Sequence, residues 1–274
     1  MTIAKRKTKT RAKAKAKAKA KAKAKAKAKA KAKAKAKAKT KRRPSTAQAR
    51  GKTRPKAAKP APRRSPSALR ERALAIVAGL EKEHPEAHCE LDFSNALELL
   101  VATILSAQCT DARVNMVTKD LFRRYKKAKN YIAVPVDVFE DEIRSTGFFR
   151  NKTKAIKEAC TSIVEKFEGE VPHTMEGLLE LPGVGRKSAN VILANAFGVP
   201  GIVVDTHMLR LSRRLGLTDE TDPVKVEQAL METLPPETWI SLSRRIPWHG
   251  RRVCTARKPT CDACAVAHLC PKLL

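Results

Sequence analysis

The chain has 274 residues, with 58 Lys and Arg against 27 Asp and Glu, a formal charge of +31. Residues 1–70 hold 30 of the basic residues and none of the acidic ones, so the rest, at 28 basic against 27 acidic, is almost neutral. No run of ~18 apolar residues suggests a membrane span, and no apolar stretch follows the N-terminal charges to make a secretory signal.

Ala and Lys alternate from Ala12 to Lys39, followed by Lys41-Arg42-Arg43-Pro44 and a Pro, Ser and Arg-rich stretch to Pro66. Almost nothing here is apolar and larger than Ala, so residues 1–66 are expected to be a disordered basic tail in isolation. A period of two also sets like charges at every i,i+4 pair, so a helix there needs an anionic partner. A polyphosphate is the simplest one, which gives the tail a non-specific, salt-sensitive affinity for nucleic acid. The alternative is a solvated extension with no specific role.

Beyond the tail, Ser65-Pro66 supplies an N-cap and a first-turn proline, and Leu69, Ala73, Ile76, Val77 and Leu80 share one helical face. Leu97, Leu100, Val101, Ile104 and Leu105 predict a second, buried helix that ends in the polar break Ser106 to Asp111. A third runs from about Ala112 to Tyr125, and amphipathic helices follow over Val138–Ser145 and Lys152–Phe167, linked by residues 146–151. Met175–Leu181 and Arg186–Phe197 flank a break at Pro182-Gly183-Val184-Gly185. No period-two stretch is long enough to build a sheet, so the class is all-α.

The break carries the first chemical signal. Gly183 and Gly185 permit positive φ and close backbone approach, and the next helix begins with unpaired N–H groups at its positive dipole end. The string resembles the helix-hairpin-helix motif of DNA-repair proteins, in which such amides hold a DNA phosphate. Lys187 follows at the helix start, where the dipole disfavours a cation. Asp205 follows the apolar run Ile202-Val203-Val204 and begins Asp205-Thr206-His207. On these residues alone, Lys187 is either a phosphate ligand or, if desolvated, an amine nucleophile. Asp205 is either an N-cap or a carboxylate that steadies a cationic sugar.

A second signal is the quartet Cys254, Cys261, Cys264 and Cys270, four thiols close enough in sequence to hold one tetrahedral metal or one cubane cluster. Ligand type alone leaves zinc and [4Fe-4S] both open. Cys89, Cys109 and Cys160 read as ordinary buried thiols, and the absence of a secretory signal argues against a disulfide framework.

Pro182 to Asn190, Val204-Asp205-Thr206-His207, Leu105 to Asp111 and the cysteine loop with its flanking His249-Gly250-Arg251 and Ala256-Arg257-Lys258-Pro259 together resemble endonuclease III. The similarity covers essentially everything after the tail. It departs at Cys109, where that family usually has Ala, and at Phe148, where it has a Leu wedge. The resemblance implies a two-lobed, all-α helix-hairpin-helix glycosylase fold: a helical barrel lobe over 89–199, and an iron-sulfur lobe joining 67–88 to 200–274. It implies a DNA N-glycosylase that removes oxidised or ring-saturated pyrimidines and nicks the abasic site. Lys187 is then the nucleophile assisted by Asp205, and the quartet holds a [4Fe-4S] cluster rather than zinc. Gln108 and Phe148 fill the gap left by an everted base, while Gly183, Gly185, Arg186, Arg257 and Lys258 contact DNA. The implied partner is double-stranded DNA carrying damaged pyrimidines or abasic sites, bound by a monomer. The cluster type and the lack of an export signal point to bacterial cytoplasm, with Lys41-Arg42-Arg43-Pro44 as the sign of a nuclear alternative. A mismatch-specific adenine glycosylase lacks this Lys and carries a further C-terminal domain, so the end at Leu274 argues against it. A non-catalytic DNA-compacting protein, suggested by the tail, leaves Lys187, Asp205 and the quartet unexplained.

Overall fold

The computed structural model describes residues 65–273. Of the tail read over 1–66, only Ser65 and Pro66 fall among them, and they already begin the first helix; the rest of that reading lies outside the described residues. All regular structure among the described residues is helical, as the all-α reading expects.

Helix α1 (Pro66–Glu83) starts where the sequence directs: Ser65 Oγ accepts from the Ala68 amide at 3.3 Å, and Pro66 occupies the first turn, where a missing N–H loses no bond. Its buried stripe includes Ala73, Ile76, Val77 and Leu80. Helix α2 (Ala96–Leu105), capped by Asn95, is buried from Glu98 to Leu105 and packs against α3 (Asp111–Arg124), α6 (Phe149–Lys166) and α8 (Arg186–Ala196). Between α3 and α6 lie α4 (Ala128–Ala133) and α5 (Val136–Ile143), and α7 (Met175–Leu179) leads into the glycine break. Helix α4 has six residues, too few for an apolar period to show in sequence. The sequence placed the start of α6 at Lys152 and a linker before it. The helix instead begins at Phe149, because Phe148 takes a left-handed backbone, φ 48°, and turns the chain straight into it.

The remaining helices are α9 (Thr206–Arg214), α10 (Pro223–Thr233) and α11 (Trp239–Arg252). Helix α11 runs through Pro247, which removes one ladder bond; packing against α1 and α9 keeps it continuous. Buried apolar side chains form two clusters. One gathers around α2, from Leu91 to Leu193, and the other combines α1 with residues from Ile202 to Val266. No described helix is long and apolar enough to cross a membrane.

Helix α8 contributes to the first cluster and α10 to the second, and one polar joint connects them. The Arg186 guanidinium donates to Glu227 through Nε at 2.7 Å and Nη2 at 3.0 Å. Asn190 Nδ2 donates to the same carboxylate at 3.1 Å and to the Ile202 carbonyl at 3.0 Å. Glu227 is only 3% exposed, so its charge is held by this fork and amide rather than by water. Replacing Glu227 by Ala leaves Asn190 and the Arg186 fork without their shared acceptor. The expected loss is about 1–3 kcal/mol, kept low by the exposed side of Arg186. A thermal midpoint unchanged from that of the unaltered chain contradicts this account of the joint.

Candidate DNA-repair site

The glycine break is anchored from below. Leu181 and Val184 are buried, and the Val184 amide donates to the Leu181 carbonyl at 3.1 Å. Gly183 has φ 82°, and a Cβ built there would lie 2.8 Å from the Ala155 Cβ, so both backbone and packing require glycine. Gly185 differs: its φ is −100° and a Cβ would meet nothing within 4 Å. The fold therefore leaves open space at the second glycine. Asn95, Thr110, Thr174, Asp205 and Asp222 cap their helices with side-chain oxygens, whereas α8 has no side-chain cap at Gly185. Its first amides have no side-chain acceptor, an arrangement suited to an anion. Arg186, expected to contact DNA, commits its guanidinium to Glu227, which leaves its backbone amide for such a contact.

Lys187 is the second residue of α8 and is exposed. The nucleophile reading needs a desolvated amine, and the protein alone leaves it exposed. Asp205 is half-buried and caps α9, accepting from the Met208 amide at 2.7 Å, so the N-cap role holds. The same carboxylate lines, with Lys187, a cleft of about 360 Å³ whose wall includes Gln108, Asp111, Asn195 and Trp248. Asp111, which sequence reasoning treated as part of a polar break, is the third charged group there. Burial raises its carboxyl, the Lys187 ammonium lowers it and the Asp205 carboxylate raises it again. Arg251 crosses the cleft edge, pairing with Glu90 and reaching Asp111 Oδ2 at 3.2 Å. Asp111 and Arg251 lay inside strings the sequence reading quoted, but nothing in spacing said that they meet.

Gln108 and Phe148 come together although 40 positions separate them. Both are exposed and both hold left-handed backbones, φ 53° and 48°. Such conformations cost of order 1–3 kcal/mol each for residues with a Cβ. The two line a shared depression of about 260 Å³ with Asn151, Lys152, Gly183 and Ser188. It adjoins the Lys187 cleft through Gln108 and Ser188.

The cysteines also converge. Cys254, Cys261, Cys264 and Cys270 line one small cavity of about 30 Å³ walled by Leu211, Leu215, Val253 and Pro259. Arg214 Nη1 donates to Cys254 Sγ at 3.6 Å, the Lys272 amide to Cys270 Sγ at 3.3 Å, and His249 Nε2 lies 3.5 Å from Cys264 Sγ. Burial pushes the Cys264 thiol up, and Glu83, Cys254 and Cys270 push it the same way. Four thiols gathered in this apolar setting would need a cationic centre to give up their protons, and N–H donors to sulfur are what such a centre favours. The donor set therefore fits a metal or an iron-sulfur cluster. Arg257 and Lys258, in the same loop, are exposed and make no ion pair among the described residues. Of the other thiols only Cys160 is fully buried; Cys89 is half-buried on the cleft wall, and Cys109 is half-buried as well.

Residues 101–236 match the profile of the HhH-GPD superfamily base excision DNA repair proteins. The chain is 54% identical to endonuclease III of Synechocystis sp. over 209 residues, covering 76% of this chain and 95% of that one. With endonuclease III of Bacillus subtilis it shares 49% over 187 residues, covering 68% and 85% respectively. A solved structure of a trapped endonuclease III–DNA covalent intermediate, the estranged-adenine complex, superposes with a TM-score of 0.70 at 45% identity. It covers 74% of this chain and 96% of that one.

The two glycines separate folding from binding. Gly183→Ala meets both strain and a clash and should lower stability by about 2 kcal/mol or more. Gly185→Ala should lower it by under about 1 kcal/mol, the scale of a changed N-cap residue, yet weaken duplex binding. Thermal melts and filter binding read the two effects, and equal losses of stability contradict the distinction.

Proposed function

The chain belongs to the endonuclease III family, and on that premise we propose that Lys187 and Asp205 carry out its chemistry at the cleft they line. The enzyme is a base-excision DNA repair protein, a DNA glycosylase with abasic-site lyase activity directed at damaged pyrimidines. The observation that carries the residue assignment is the convergence of Lys187, Asp205 and Asp111 on one cleft beside the uncapped start of α8.

In this reading the amides of Arg186 and its neighbours, beyond the open Gly185, hold a DNA phosphate, and Arg257 and Lys258 hold a second. The everted nucleotide enters the cleft while Gln108 and Phe148 occupy the space it leaves. Closure of the duplex over Lys187 supplies the desolvation that the free protein lacks. The neutral Lys187 amine attacks the sugar C1′, and the bond from C1′ to the base nitrogen breaks with its electron pair leaving on the base, which is then protonated. Loss of the amine proton and opening of the sugar ring give an imine. Removal of a C2′ proton then expels the 3′ phosphate and nicks the strand. Asp205, fixed by its bond to Met208, faces the cationic sugar, and Asp111 adds negative potential beside it. The expected substrates are oxidised or ring-saturated pyrimidines and abasic sites in duplex DNA.

The quartet Cys254, Cys261, Cys264 and Cys270 would hold a [4Fe-4S] cluster, whose contribution is to cross-link the loop that presents Arg257 and Lys258. The two apolar clusters support the division into a lobe of 89–199 and a lobe of 67–88 with 200–274. We read the enzyme as a monomer of the bacterial cytoplasm working on nucleoid DNA, with the Lys/Ala tail adding non-specific nucleic-acid affinity.

Borohydride reduction tests the nucleophile. A thymine-glycol duplex incubated with the chain and borohydride should yield a covalent protein–DNA adduct, and Lys187→Gln should yield none; an adduct from that variant assigns the amine elsewhere. Metal analysis tests the quartet: iron and acid-labile sulfide in equal amounts are expected, and zinc in their place rejects the cluster.

A further inference from the structure

We propose that Lys152 is a positioning residue for base eversion: its buried ammonium is a strut that fixes the Gln108 loop and the Phe148 turn relative to each other. The proposal rests on the reading that Gln108 and Phe148 enter the duplex. Lys152 is only 4% exposed, and its Nζ donates to the Leu105 carbonyl at 2.7 Å and the Thr146 carbonyl at 2.8 Å. Leu105 is the last residue of α2, so its carbonyl is one of those a helix leaves unpaired at its negative end. Gln108 follows three residues later. Thr146 closes a 3₁₀ turn over Arg144–Thr146, and Phe148 follows two residues later. The backbone amide of Lys152 also donates to the Phe148 carbonyl at 3.1 Å. One residue thus holds both strained positions from beneath, and it lines the depression they share.

The arrangement is costly as packing. Taking an ammonium out of water is among the least favourable burials, and among the described residues no carboxylate pairs with Lys152. Burial lowers its pKa, and Cys109 acts in the opposite direction. Lys157 closes the end of α4 through the Tyr131 and Ile132 carbonyls while remaining half-buried, so capping a helix does not itself require full burial. What Lys152 adds is a link between two loops. Side chains that enter a base stack must work against stacking and pairing, which costs a few kcal/mol, and loops without a rigid support would yield instead. The strut passes that load to α2 and α6.

Lys152→Met keeps length and approximate volume and removes the donors. Using the full chain, single-turnover base release from a thymine-glycol duplex should fall about 10-fold or more, the scale of one lost charge-assisted hydrogen bond. Nicking of a preformed abasic duplex, where eversion is cheap, should fall less than about 3-fold. The rise in 2-aminopurine fluorescence that reports eversion should shrink in parallel. In a Gln108→Ala/Phe148→Ala background, Lys152→Met should add little further loss of base release, because the strut then has nothing to position. Additive losses overturn the strut while leaving the roles of Gln108 and Phe148 intact. A Gln108→Ala/Phe148→Ala variant that releases base at the unaltered rate overturns the reading on which the strut rests. Should Lys152→Met fail to fold, hydrogen exchange of the unaltered chain decides: a common opening free energy for amides 106–109 and 147–149 supports the strut, and independent openings refute it.

Discussion

The charged joint at the start of α8 is the constraint on which the site depends. Arg186, Lys187 and Asn190 lie within the first five positions of that helix, and two of them are bound to Glu227 of α10. The buried carboxylate holds Arg186, while Lys187, one position on, lines the cleft and the first amides of α8 have no side-chain acceptor. A helix end set only by apolar packing could rotate by a fraction of a turn without losing much burial. A bidentate guanidinium–carboxylate pair cannot, since its two bonds fix direction as well as distance. The joint also spans the two apolar clusters, so the α8 amides from one side and Asp205 from the other keep a fixed relation.

Within that frame the electrostatics of the cleft are local. The large formal charge of the chain belongs to residues before Glu71, and the described groups around Lys187 are of both signs. There, one ammonium stands against the carboxylates of Asp111 and Asp205, with Arg251 drawn toward Asp111 and Glu90. Two carboxylates facing one amine favour a cationic species at the point between them. The uncapped α8 favours an anion a few ångströms along the chain. A nucleotide undergoing loss of its base presents both, a positive sugar next to a negative phosphate, and the site separates the two demands over a single helical turn.

Much of this was legible in sequence because it is encoded locally. Ser65-Pro66 announced α1, and the glycine break was placed to the residue. The cysteines could be grouped by spacing alone. Contacts between distant segments were not legible. Nothing in sequence shows that Asp111 faces Lys187, that Glu227 takes the Arg186 side chain, or that Arg251 closes the cleft edge, because each depends on how helices cross. The misplaced start of α6 has a different cause. Residues 146–151 carry glycine, asparagine and aromatics that read as a linker, and only the left-handed Phe148 lets a helix begin among them.

That exception belongs to a pattern. Of the four non-glycine residues with positive φ among the described residues, two are Gln108 and Phe148. Helices α6 and α8, which both begin at this face, lack side-chain caps, and α8 carries a cation in the turn where the dipole opposes it. Lys152, an ammonium without a carboxylate partner, is buried beneath them. Each feature costs stability; Ser, Asn, Thr and Asp cap α1, α2, α3, α7, α9 and α10, while α4, α5 and α11 share with α6 and α8 the lack of a side-chain cap bond. What sets this face apart is the combination: two left-handed residues that bear side chains, a cation in a first helical turn and a buried ammonium. Such features, carried by residues of unrelated type, are hard to explain as tolerated accidents of folding. They share one consequence: backbone donors, an amine and two projecting side chains are held toward a ligand that the protein alone does not supply.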